Sequence, residues 1–255
     1  LSISAVIGLV FLVLGVGLML IFFFARRTQP ARPLRSISAF QRLRRALGLA
    51  VEDGKRLHVS LGQASILNSN GASALVGLST LERVAQLSSL GDRPPVATSG
   101  DGTLAILSQD TLRSTYRRLG AFDMYDPDRG RLAGPTPFAY IAGALPVISR
   151  EQVSANLLIG NFGPEAALLC ERAEQQSAFT LAASDALPAQ AALYASAQEP
   201  LIGEELFAIP AYMQGTPIYQ VSLHVQDILR WVVVGALVIG AIFQFIVPLL
   251  GGGSP

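Results

Sequence analysis

The sequence predicts a doubly wound α/β domain, with a mostly parallel sheet of about five strands, flanked by an N-terminal and a C-terminal transmembrane helix. Three observations carry this. Short β-prone runs alternate with longer segments of helical periodicity between residues 39 and 220. That alternation implies crossover units and a parallel sheet covered on both faces. Leu1 to Ala25 contains no ionisable side chain and is closed by Arg26 and Arg27, and Trp231 to Leu250 has Gln244 as its only strongly polar side chain. About twenty apolar residues suffice to cross a bilayer as a helix, which satisfies its own backbone hydrogen bonds in lipid.

All 37 Lys, Arg, Asp and Glu side chains lie between Arg26 and Arg230, so two uncharged ends enclose a normally charged interior. A cleaved signal peptide is the rival reading of the first run. Such peptides begin with basic residues and end on small ones. Here the charges follow the run, and Phe22, Phe23 and Phe24 stand where small residues would be required. The expected organisation is a span at 1–25, a basic linker at 26–38, an α/β domain at 39–220, a juxtamembrane and spanning helix at 221–250, and a tail at 251–255.

Up to Arg56 nine cations face only Glu52 and Asp53, a balance of +7; the remainder has ten basic and sixteen acidic residues, a balance of −6. Short basic flanks remain on the cytoplasmic side of a membrane. The domain is therefore expected on the cytoplasmic face of a cell (inner) membrane, with both termini on the far side. Arg26, Arg27, Arg32 and Arg35 are expected to meet lipid headgroups, at about 1 kcal/mol per cation near the surface. The acidic remainder lacks a stripe of cations interleaved with aromatics, which argues against a nucleic acid partner.

The linker carries Pro30 and Pro33 and is expected to run extended. Ser38 is placed to cap a helix whose apolar face is Phe40, Leu43, Leu47, Ala50 and Val51, ended by Gly54. Leu57 to Leu61 reads as a strand, followed by a polar loop and a helix from Ala72 to Leu90 with Leu75, Leu78, Leu81, Val84, Ala85 and Leu87 on one face. Pro95 to Thr98 is a strand, Ser99 to Gly102 a turn and Thr103 to Leu119 a helix. A weak strand at Arg131 to Ala133 leads through Gly134-Pro135-Thr136-Pro137 to the helix Phe138 to Ile148. Val153 to Ile159 is the clearest strand, and Pro164 suits the first turn of a helix running to Gln175. Ala178 to Ala182 is the fifth strand, with a helix starting near Leu187. Leu201 to Phe207 suggests a short helix stopped near Pro210, and Ile218 to Arg230 a helix continuous with the second span.

The run from Ala39-Phe40-Gln41 to His58-Val59-Ser60-Leu61-Gly62, together with Leu201-Ile202-Gly203-Glu204-Glu205-Leu206-Phe207, resembles an uncharacterised family of bacterial membrane proteins, a domain of unknown function. The resemblance covers nearly the whole chain. It implies a cytosolic α/β domain between two terminal spans, and it brings no catalytic residues with it.

In an open parallel sheet, ligands sit beyond the carboxyl ends of the strands. The polar side chains there include Ser99, Asp101, Asn161, Glu165 and Asp185, which are the candidate ligand-binding residues; capping and turn formation account for the same residue types. No nucleotide fingerprint is present, since Gly62 to Gly71 is not Gly-x-Gly-x-x-Gly and the sole lysine is Lys55. His58 and Ser60 share a strand face, but no Gly-x-Ser-x-Gly elbow accompanies them, so a buried, satisfied histidine is expected. Asp123, Asp126 and Asp128 lack calcium-loop spacing and make a good turn, and Cys170 is a lone core thiol. Neither a cofactor nor a metal is expected. Ala236 and Gly240 make a small-xxx-small pair that permits helix association. These readings lead to a membrane-anchored scaffold or accessory subunit, homo-oligomeric or part of a larger membrane complex and not catalytic. The alternative is a sensor or enzyme that binds a small polar metabolite at the strand-end loops.

Overall fold

In the computed structural model, which describes residues 3–26, 34–68 and 71–251, the β-prone runs form one parallel sheet of six strands. They are β1 (Arg56–Gly62), β2 (Val96–Ser99), β3 (Gly130–Leu132), β4 (Val153–Asn161), β5 (Phe179–Ser184) and β6 (Glu199–Leu201), in the order β3-β2-β1-β4-β5-β6. The helices are α1 (Ile3–Arg26), α2 (Ser38–Glu52), α3 (Gly71–Ser88), α4 (Gly102–Leu119), α5 (Pro137–Arg150), α6 (Ala167–Gln175), α7 (Leu187–Ser196), α8 (Glu205–Gln214) and α9 (Pro217–Gly251). Residues 35–214 form one compact unit, and 1–34 with 215–255 the other.

The order is that of a doubly wound sheet, in which the chain winds outward from β1 to one edge and then from β4 to the other. Strand alternation sends Leu57, Val59, Leu61, Leu157, Ile159 and Leu181 into one core with α2, α3, α4 and α8, while Leu158 and Ala182 meet α5, α6 and α7 on the other face. Burial on both faces explains why these strands read as continuous apolar runs.

The sheet has six strands, not about five. Glu199-Pro200-Leu201 pairs with β5 at Leu181, Ala182 and Ala183, and was hidden by its acid and its proline. Proline is tolerated there because an edge strand leaves one row of N–H positions unpaired. Ser38 does not cap α2; the cap position is Ile37, with no side-chain hydrogen bond. In α3 the buried row runs through Ala74, Leu78, Leu81 and Ala85, and Leu75 is turned outward. Pro210 does not stop α8, which carries it inside and continues to Gln214.

In the second unit α1 and α9 touch, with Gly15 against Leu229 and the Phe22 ring edge-on to His224 at 6.4 Å between centroids. Among the described residues one stretch, Ile218–Ile242, is long and apolar enough to cross a membrane, with mean hydropathy 1.8. The described apolar run in α1, Gly8–Phe24, is shorter, so the expectation of two spans is met on length by one helix.

Candidate functional site

The switch point of the sheet lies between β1 and β4, where the windings diverge and a doubly wound fold opens a crevice for ligands. Here backbone hydrogen bonds tie the strand ends together: Gln63 N donates to Asn161 O at 2.8 Å and Gly100 N to Gly62 O at 2.7 Å. Gly62 has φ +68°, and a Cβ on it would run into the Asn161 carbonyl. The helix beyond is equally tight, since a Cβ on Gly77 would lie 2.7 Å from Ile159 O. Glycines at the switch point therefore serve close backbone packing, without the spacing that cradles a pyrophosphate.

Of the predicted ligand residues, Asn161 and Asp185 come together, Asn161 Nδ2 donating to Asp185 Oδ1 at 2.6 Å across the ends of β4 and β5. Ser99 and Asp101 meet within the β2 turn. Ser99 Oγ donates to Asp101 O at 3.1 Å, and Asp101 Oδ1 accepts from Leu104 N at 3.0 Å as the N-cap of α4. Glu165 folds its carboxylate back over Gly163. The capping account of Asp101 is thus drawn in full. Asp101→Ala is expected to lower stability by about 1 kcal/mol, as loss of an N-cap does, measured by urea unfolding of the detergent-solubilised chain. A change below a few tenths of a kcal/mol would contradict that role.

The polar centre that the sequence only half disclosed is under α5. His58, Ser60, Thr98, Tyr140 and Asn156 are all 0–2% exposed. His58 Nδ1 is 2.7 Å from Asn156 Oδ1, which can only accept, so Nδ1 carries the proton and Nε2 accepts from the Thr98 hydroxyl at 2.9 Å. Tyr140 OH lies 3.2 Å from Thr98 Oγ1 and 2.5 Å from Ser60 Oγ, and it accepts from Gly62 N at 3.3 Å. The chain of donors and acceptors is continuous from Gly62 to Asn156, whose Nδ2 alone has no partner among the described residues. Burial pushes His58 down to about 4, against the raising effect of the Asn156 bond, and pushes Tyr140 upward. His58 and Ser60 share a face as expected, yet Ser60 faces Tyr140 and not the imidazole, so these two do not form a nucleophile–base pair. An amide inside an apolar strand, Asn156, was the available signal, because a buried amide requires a partner.

Other candidates resolve into structure. Asp126 caps a turn through Asp128 N and pairs with Arg129 Nε at 2.9 Å, and among the described residues no group of three His, Cys, Asp or Glu could hold a metal ion. Cys170 is buried, and burial pushes its thiol to about 11, far from a reactive thiolate. None of the five predicted ligand residues lines the cavity of about 700 Å³ over the amino ends of β5 and β6 or the cavity of about 350 Å³ beside β3.

Arg35 is exposed; Arg27, Arg32 and the Arg26 side chain lie outside the described residues. Ala236 and Gly240 are exposed on α9, and a methyl added at Gly240 would meet nothing within 4 Å. A family model described as a domain of unknown function (DUF6754) matches residues 2–251. No curated protein and no solved structure matches.

Proposed function

The chain belongs to the family described as a domain of unknown function (DUF6754), and we propose that this member is a membrane-anchored scaffold or accessory subunit rather than an enzyme. The observation that carries the reading is the stretch Ile218–Ile242, of which 6% is buried within the chain. Trp231, Leu237 and Ile239 are 74%, 68% and 63% exposed, apolar surface that must be covered by lipid or by other apolar helices. The first apolar run, Leu1 to Ala25, supplies a second anchor, and the cations after it favour a cytoplasmic α/β unit. No Asp, Glu, Lys or Arg occurs after Arg230, so that segment offers no charged path for transport. Ala236 and Gly240, exposed on α9, suit association with a second copy.

The competing reading, a sensor or enzyme for a small polar metabolite, has the strand order in its favour. Against it, Asn161 and Asp185 hold each other, Asp101 holds its helix, and Gln63 bridges the strand ends.

The full chain is expected to resist alkaline carbonate extraction from membranes. In mild detergent it is expected to behave as a multiple of its 27.0 kDa mass. Release by carbonate would refute the anchor, and a monomer at working concentrations would refute self-association.

A further inference from the structure

Outside the carboxyl edge, the densest charge on the α/β unit gathers where α5 ends beside β3. Glu151 receives three guanidiniums: Arg56 Nε at 3.3 Å, Arg129 Nη1 at 3.2 Å and Arg131 Nη2 at 2.8 Å. Arg129 also reaches Asp126 at 2.9 Å. Arg150, beside Glu151 in sequence, has no acidic partner among the described residues. Asp128 is exposed and gives Arg131 only its backbone carbonyl, at 2.7 Å. Three cations thus share two carboxylates, and most of the shared groups are drawn back from water, Arg56 at 12% exposed, Arg129 at 21% and Glu151 at 20%, while Arg150 stands exposed beside them as a fourth cation. Burial first, then Arg129, pull Arg56 below the ordinary guanidinium range. The carboxyl end of α5 contributes roughly half a negative charge. Set against the two carboxylates and the helix end, the four cations leave more than one positive charge over around the cluster, carried chiefly by exposed Arg150.

The cavity of about 350 Å³ opens on this cluster. Thr98, Arg131, Gly143, Pro146, Arg150 and Glu151 are among its lining residues. Gly143 packs directly on the Ala133 carbonyl, so no side chain from that turn intrudes. We propose that this cavity is a binding site for a phosphate monoester, held by the guanidinium forks of Arg131 and Arg150.

Charge selects phosphate over carboxylate. A phosphate monoester carries about −1.5 to −2 at pH 7 and presents three acceptor oxygens, which matches the surplus; a carboxylate would leave part of it unmatched. Volume selects a small ligand, because ~300 Å³ is the lower end for ligand pockets and a dinucleotide would not fit. The phosphate could belong to a soluble metabolite or to a lipid headgroup, and the chemistry of the site is the same for both.

The test uses the full chain in detergent at constant ionic strength. Equilibrium binding of glycerol phosphate and of dihexanoyl phosphatidic acid is measured for the wild type, Arg150→Gln and Arg150→Lys. Either probe is expected to bind the wild type. Arg150→Gln is expected to weaken binding by about tenfold or more, as loss of a charge-assisted hydrogen-bonded fork does, with Arg150→Lys between the two. Binding of both probes marks a soluble-type phosphate site, and binding of the lipid alone marks a headgroup site; both uphold the proposal. Binding of neither, or affinity unchanged in Arg150→Gln, overturns it. Arg150 is exposed at the end of its helix, so its replacement leaves the fold intact to be tested.

Discussion

Gly62→Ala is expected to destabilise the α/β unit by about 3 kcal/mol, the sum of a left-handed backbone in a residue that disfavours it and a methyl group driven into a fixed carbonyl. The position has φ +68°, and the atom in the way is backbone, the Asn161 carbonyl, which also accepts the Gln63 N–H. Relief by side-chain rotation is therefore closed off. Relief by strand movement would break the β1–β4 pairing that continues from Arg56 to Gly62. Gly203 separates the two contributions, because it has φ +65° with nothing within 4 Å of an added Cβ. Gly203→Ala is expected to cost about 1 kcal/mol, the conformational part alone. Urea midpoints for the two variants, followed by far-UV circular dichroism, give the comparison. Equal losses would mean that the switch point is not closed by backbone contact.

Acid is expected to weaken the same unit through His58. Its folded value lies near 4, below the ordinary 6.5, because burial penalises the imidazolium. Above pH 6.5 the folded and unfolded chains are both neutral at this residue, so it adds no pH dependence. Between 6.5 and 4 the unfolded chain takes up a proton that the folded chain refuses. Stability accordingly falls as pH drops through that window, by about 3 kcal/mol in all. Protonation would also force the Thr98 hydroxyl to turn away from Nε2 and leave a charge among fully buried neighbours.

His58→Leu isolates the contribution. It strands Asn156 Oδ1 and leaves the Thr98 hydroxyl with Tyr140 OH alone, so the variant should be less stable at pH 7, yet its stability should change less between pH 6.5 and 4.5. Glu151, held below its usual carboxylate range by its arginines despite partial burial, keeps its stabilising charge in both chains across that interval and loses it at lower pH. Parallel pH profiles for wild type and variant would assign the acid response to other groups.

Several features were legible because they are written along the chain. Pro164 announced the first turn of a helix and the Val153–Ile159 run announced a buried strand, while Asp101 before a helical run was open to capping as well as to ligand binding, and the structure makes it the N-cap of α4. His58 and Ser60, two residues apart, had to share a face. Glu199-Pro200-Leu201 was not legible, because a three-residue edge strand owes its conformation to β5 and not to its own preferences. Nor was the partnership of His58 with Asn156, 98 positions away, or of Arg56 with Glu151.

By itself, then, the sequence determined the alternation of strands and helices and the uncharged ends, since these depend on periodicity and composition within a few residues. Only the tertiary structure decided the strand order, the closure of the switch point at Gly62, the hydrogen-bond chain from Tyr140 to Asn156 and the gathering of arginines beside β3. These depend on which distant segments become neighbours, and one local pattern of strand and helix is compatible with many such arrangements until the whole sheet has formed.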